Sequence, residues 1–215
     1  MLSLNDWIVA QKAQNIGYFC FGPCGIIDFA FLKSIDLKFF EGIIHEDHLF
    51  GMILFAHIKN VVISPRKLYK RRVRVGSTMT FKSDKNRKLP NFISNLYNSF
   101  SDVDEAWEYF RAYSWCVSAV EFANFCEGFG EICRQFKTLF FKMMLLEASK
   151  VMDFKIDPYN IKTEFLVLAR RYKKSLPLHK RQFAYYKVPI LWEIYNIYPF
   201  FRKMTKKLRD AIRRI

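Results

Sequence analysis

The chain predicts an α/β segment followed by a mainly helical C-terminal region, on three observations. The β-branched and alternating runs NVVISP (60–65) and KLYKRRVRVGST (67–78) both fall in the first 80 residues. A polar, breaker-rich stretch, KSDKNRKLP (82–90), then interrupts the pattern. Beyond it the apolar residues recur at helical spacing almost to the last residue. The organisation read from these shifts is an α/β segment over 1–81, a linker or loop over 82–100 and a helical region over 101–215.

Taken in order, Asn15 to Lys33 is an aromatic run broken by Gly22, Pro23 and Gly25, which reads as an extended piece, a turn, and a short helix or strand leading to Leu32. A turn at Glu41-Gly42 leads into a helix from Glu46 to Ile58, with Leu49, Phe50, Ile53, Leu54 and His57 recurring at three and four. NVVISP is a short β-branched strand stopped by proline, and KLYKRRVRVGST alternates as a second edge segment ending in a Gly-Ser turn. Ser101, with Glu105 close behind, opens a helix through AWEYFRAYSWCVSAVEFANF; Gly128 and Gly130 interrupt before ICRQFKTLFFKMMLLEASKVM forms another. After Pro158, TEFLVLARRYKK is a short amphipathic helix ending near Pro177, and ILWEIYNIY is an apolar helix closed by Pro199. The last helix, FRKMTKKLRDAIRRI (201–215), sets Phe201, Met204, Leu208, Ile212 and Ile215 on one side and its Lys and Arg residues elsewhere.

Composition bounds the function class. At 215 residues, about half of them apolar, the chain can bury a sizeable core. Its 23 Phe, 11 Tyr and 4 Trp exceed what a core of this size needs, which leaves some for a lipid surface or a partner. No apolar run reaches the roughly 18 residues of a membrane span, and the N-terminus lacks the pattern of a secretory leader. A location in the cytoplasm or on the cytoplasmic face of a membrane is the expectation. Cys20, Cys24, Cys116, Cys126 and Cys133 lack paired CxxC spacing, so reduced thiols are expected and zinc is not. The net charge of +15 is uneven, because residues 161–215 carry 15 Lys and Arg against 3 Asp and Glu. Such a field attracts phosphate in a lipid head group, a nucleotide or a nucleic acid. In 201–215 the basic residues lie opposite an apolar stripe, which favours an anionic membrane surface, or docking on the body of the protein, over nucleic acid.

The candidate chemistry centres on HEDH, His45 to His48. Adjacent helical residues point about 100° apart, so Glu46 and Asp47 do not both address one reacting atom. One carboxylate facing a cleft can act as general base on a hydroxyl; equally, both are favoured in a helix's first turn by its free amides and dipole. His45 and His48 share one side of a turn, as rim or core-edge residues or as part of a ligand set. Arg71, Arg72 and Arg74, followed by Ser77 and Thr78, form a basic hydroxyl-bearing segment suited either to a diphosphate or to a solvated strand edge.

These residues carry a resemblance. From about Phe21 to Met79 the chain resembles the C-terminal third of the catalytic domain of family-2 inverting glycosyltransferases, of the bacterial lipooligosaccharide and capsule type. GIIDFAFLKSIDLKFFEG is similar to the family's Phe-Leu stretch before a Glu-Gly turn, and HEDHLFG to its Glu-Asp motif at a helix start. AHIKNVVISPRKLY resembles the next strand, and RRVRVGSTM the Tyr-Arg-x-Arg-x-x-Ser segment that closes the domain, altered here at its start to Tyr69-Lys70-Arg71-Arg72. The resemblance implies a partial GT-A-like fold in the first segment and inverting transfer of a sugar from a nucleotide-sugar to a glycan or glycolipid acceptor. Asp47 matches the catalytic base and Glu46 its companion. Arg72, Arg74 and Ser77 fall in the segment that in relatives approaches the donor diphosphate; His45 and His48, which flank the carboxylate pair, complete the candidate substrate-binding set. The family's nucleotide-binding half, with the acidic motif that holds Mn²⁺ or Mg²⁺ on the donor diphosphate, has no counterpart before Phe21, and Asp102-Val103-Asp104 reads as a helix start. The implied protein is the C-terminal piece of a longer or split transferase, incomplete as this single chain, with a partner chain supplying the missing half in the split case; the alternatives are a non-catalytic, membrane-associated or interaction protein derived from one, and a compact protein active by another route.

Overall fold

The computed structural model describes residues 1–22, 25–66, 68–70, 72, 88–177 and 180. Arg74, Ser77 and the expected helices after Pro189 lie outside these residues. The described chain is mainly helical, and this corrects the expected α/β first segment. Its strands are β1 (Leu2–Ser3) and β2 (Asn60–Val61), paired antiparallel with Leu2 opposite Val61. The β-branched run from Asn60 goes no further as strand, and Val62 and Ile63 stay exposed. A strand needs a neighbour to bond and a face to cover, and among the described residues the edge paired with this run is two residues long.

Helix α1 (Leu4–Ala13) was not expected, yet it carries a start signal. Ser3 Oγ accepts from the Asp6 amide at 3.1 Å, and the Asp6 carboxylate accepts from the Ser3 amide at 3.3 Å, forming a capping box. α1 buries Leu4, Trp7 and Ile8. The ambiguous stretch before Leu32 resolves as a helix, α2 (Phe29–Ser34), because Asp28 accepts from the Ala30 and Phe31 amides at 2.8 and 3.2 Å. α3 (Glu46–His57) matches the expected helix within a residue. In the expected linker, Asn91–Asn98 form a 3₁₀ helix that buries Ile93 and Leu96.

The centre of the fold is α4 (Val103–Phe125). Its 23 residues contain no Gly or Pro, and Asp102 caps it by accepting from the Asp104 amide at 3.0 Å. Ala106, Trp107, Tyr109, Phe110, Ala112, Ser114, Cys116, Ala119 and Phe122 are all buried, so the apolar surface wraps most of the helix. That is the pattern of a helix enclosed by others rather than one lying on a surface. α4 packs against α3, α6 (Lys142–Ala148), α7 (Ile161–Arg171) and the 3₁₀ turn Ser149–Asp153. α5 (Glu131–Phe136) runs into α6 through one π-helical turn, Lys137–Phe141, which buries Phe140 and Phe141. Leu4 and Leu176, near the two ends of the described residues, belong to the same hydrophobic cluster. None of the described helices is long and apolar enough to cross a membrane.

Candidate functional site

The start of α3 is set by three anchors. Upstream, the Ile44 amide donates to Ser114 Oγ at 3.1 Å, and that buried hydroxyl donates in turn to the Phe110 carbonyl at 2.9 Å within α4. A small polar side chain on the buried face of α4 thus fixes the approach to the site. His45 then turns the chain with φ of 64°, a left-handed conformation, and the helix begins at Glu46. On the flank, the Phe21 amide donates to the Asp47 carbonyl at 3.2 Å, laying the chain around Phe21 across the helix. Gly51 makes this approach feasible, because a Cβ there would meet the Phe21 backbone nitrogen at 2.9 Å.

The four HEDH residues are brought together, each half-buried. Glu46 and Asp47 occupy the first turn, where free amides and the helix dipole favour negative charge. Asp47 faces the backbone at Gly22: a Cβ placed on Gly22 would lie 3.5 Å from Asp47 Oδ2, ordinary contact distance. His45 stacks on Trp115 with ring centres 5.2 Å apart at 22°, and His48 meets the same indole at 4.9 Å. Tyr18, largely exposed, stands 6.3 Å from the His48 ring. Two imidazoles and an indole therefore form a wall beside an acidic helix start.

Electrostatics keep that wall neutral. Burial, then the neighbouring His48 and Arg111, push His45 down to about 4, against the pull of Asp47 and Glu147. Burial likewise lowers His48, opposed by Asp47, a hydrogen bond with the Phe19 backbone and Glu46. His45 Nε2 and His48 Nδ1 are buried without a hydrogen-bond partner. An orphaned buried ring nitrogen is energetically unfavourable, and a ligand hydroxyl reaching it would relieve that penalty. Chemically, the arrangement offers a carboxylate at Asp47 able to act as a base, a second carboxylate at Glu46, neutral imidazoles and aromatic surface. Among the described residues, no three His, Cys, Asp or Glu side chains converge to hold a metal ion.

Of the remaining expected site residues, Arg72 is exposed, while Arg74 and Ser77 lie outside the described residues. Sequence reasoning missed Ser114, Trp115 and the roles of Gly22 and Gly51. Ser114 and Gly51 had a signal, a hydroxyl and a glycine inside apolar helical runs. Trp115 had none, being one more aromatic in an aromatic helix. No protein-family model, curated protein or solved structure matches the chain.

Proposed function

We propose that this chain carries the acceptor-side catalytic segment of an inverting sugar transferase, with Asp47 as the base that deprotonates the acceptor hydroxyl. Glu46 orients the acceptor or the local structure, and the neutral His45 and His48 bind its hydroxyls. A bacterial surface glycan or glycolipid is the acceptor class, and a nucleotide-sugar carrying Mn²⁺ or Mg²⁺ on its diphosphate is the donor. A second chain supplies the donor half.

The observation that carries this reading is the juxtaposition at the start of α3: half-buried Glu46 and Asp47 beside two neutral imidazoles and Trp115. Sugars are bound by such mixtures, since their C–H faces lie on aromatic rings while their hydroxyls need charged or polar partners. Support for an incomplete assembly comes from Ile26, Phe29, Phe39, Val62 and Ile63, exposed apolar side chains of the segment that carries the family resemblance.

The test is Asp47→Asn in the cell that makes the protein, with the surface glycan profiled by mass spectrometry. Loss of one sugar residue at unchanged protein level is expected, because removing a general base slows transfer by about 10²–10⁴-fold. An unchanged glycan overturns the reading. Calorimetric titration of the purified chain with UDP-, CMP- and GDP-sugars plus Mn²⁺ then tests the split: absence of binding fits a second chain, and saturable binding overturns that part alone.

A further inference from the structure

A cleft of about 280 Å³ opens where the end of α7 meets the junction of α5 with α6. Part of its lining is one helical face, because Arg134, Lys137, Thr138 and Phe141 recur at spacings of three and four. The last three belong to the π-helical turn Lys137–Phe141. Single π turns inside longer helices are frequent at functional positions. Across from this face the lining comes from Tyr172 and Ser175, placed by the 3₁₀ turn Lys173–Ser175, in which the Ser175 amide donates to the Tyr172 carbonyl at 2.9 Å. Phe129, in the turn after α4, adds a second ring.

The carboxylates on that turn and at the start of α5 are already engaged: Glu127 pairs with Arg171 at 2.5 Å, and Glu131 pairs with Arg134 at the exposed rim. Lys137 enters none of the described ion pairs. Its half-buried ammonium donates one hydrogen bond, to the Tyr172 hydroxyl at 3.2 Å, which leaves two of its three N–H groups. Since the Tyr172 oxygen is the acceptor in that bond, its own hydrogen is left to donate. Thr138 differs, because its hydroxyl donates to the Arg134 carbonyl at 3.0 Å.

We propose that this cleft binds a phosphomonoester, whose terminal oxygens are held by Lys137, Tyr172 and Ser175 while the group carrying the phosphate lies against Phe129 and the Tyr172 ring. A monoester presents three acceptor oxygens and a charge of about −1.5 to −2 at pH 7. Donors arriving from two separate elements, around a cation without a carboxylate partner, suit those three oxygens better than the two coplanar oxygens of a carboxylate. The volume is at the low end of the roughly 300–1,000 Å³ of small-molecule sites, which fits a phosphate on a single ring. The site is independent of the sugar-transfer reading. A nucleotide-sugar has no terminal phosphate and is not a ligand of this class.

Calorimetric titration of the full chain with phenyl phosphate, inorganic phosphate and benzoate tests this. Saturable binding of phenyl phosphate is expected, about tenfold or more tighter than benzoate, because the third oxygen and the added charge engage further donors. Inorganic phosphate binds the same site more weakly, lacking the ring. Lys137→Met weakens phenyl phosphate by about 10–100-fold and Tyr172→Phe, which keeps the ring, by about tenfold. Lys142→Met removes the same charge from an exposed position outside the cleft and leaves binding unchanged, as does Asp47→Asn. Phosphatidylcholine vesicles containing phosphatidic acid decide the source of the phosphate: competition with phenyl phosphate that is lost in Lys137→Met assigns a lipid head group, and absence of competition assigns a soluble ester. No saturable binding of phenyl phosphate, equal affinity for benzoate, or equal losses in Lys137→Met and Lys142→Met overturns the proposal, and the first two results come from the wild type alone.

Discussion

The helical body, residues 103 to 171, and the segment from Gly17 to Lys70 use aromatic residues in opposite ways. In the body, Trp107, Tyr109, Phe110, Phe122, Phe136, Phe140, Phe141 and Phe165 are fully enclosed. In the segment, Tyr18, Phe29, Phe39 and Phe40 face outward, and Phe39 covers part of itself only by stacking on Phe50 with ring centres 4.2 Å apart. The body satisfies its own burial. The segment holds the candidate chemistry and is tied to the body by Ser114 under Ile44 and by Trp115 against His45 and His48, while Phe21 against Gly51 and Phe19 between Trp7 and Phe55, at 5.0 and 4.4 Å, hold it to itself and to α1. A site carried on one supported helix in an otherwise irregular stretch is positioned by contacts rather than by its own secondary structure.

The sharpest way to break this comparison is to truncate one aromatic in each region. Phe122→Ala opens a cavity in a packed core and is expected to lower unfolding free energy by about 3–5 kcal/mol. Phe29→Ala removes an exposed ring and is expected to stay within about 0.5 kcal/mol of wild type. Urea unfolding measures both. Similar losses at the two positions would mean that Phe29 has a covering surface and that the regions do not differ as described.

A second, smaller effect belongs to the polar seam that ties α7 to α4. Asp157 accepts from the Tyr109 hydroxyl at 2.7 Å, the Ile161 amide at 3.1 Å and the Lys162 amide at 2.9 Å, while the Tyr159 amide donates back to the Tyr109 oxygen at 3.1 Å. Asp157→Ala strands a part-buried hydroxyl and the first amides of a helix, so a loss of about 2–3 kcal/mol is expected in the same assay. Tyr109→Phe, which keeps the ring, should lose about half as much.

Gly51→Ala probes the anchor of the segment. Alanine is the better helix former by about 1 kcal/mol, but here its methyl would press on the Phe21 backbone nitrogen at 2.9 Å. A net loss of about 1–2 kcal/mol is expected, with hydrogen exchange accelerating at the Phe21 amide while α4 stays protected. A stabilised variant would show that the strip around Phe21 is not held against α3.

What could be read from the amino acids follows the same division. α3, α4 and α7 were legible because each has helical periodicity and acidic residues at or near its start. Ser101 and Asp102-Val103-Asp104 were both read as the start of α4, and Asp102 is the cap. The strand at 60–65 was misread because β-branched composition reports fitness for a sheet, not the presence of a neighbour. At the site, the HEDH cluster was legible as charge in an apolar setting. The indole that both histidines share was not, since Trp115 lies on another helix and only tertiary packing brings it there.

The smallest predicted effect tests whether the histidine wall is neutral. Folding lowers His45 from 6.5 to about 4 and shifts His48 in the same direction, so the unfolded chain binds more protons between these values. Stability from this source is therefore complete above about pH 6.5 and declines as pH falls towards 4. Because both residues are only half-buried, solvent screening discounts the effect, and a loss of about 1–2 kcal/mol from pH 7 to pH 5 is expected. Carboxylates also begin to titrate towards the lower limit, so the comparison that isolates the histidines is with the double variant His45→Asn, His48→Gln. Asparagine tolerates the left-handed backbone at position 45, and neither replacement titrates in this range. Urea midpoints of the double variant should be flatter than wild type between pH 7 and pH 5. If both proteins lose stability equally, the imidazoles are solvated rather than enclosed against Trp115, and the segment is then no better ordered at its candidate site than at Phe29.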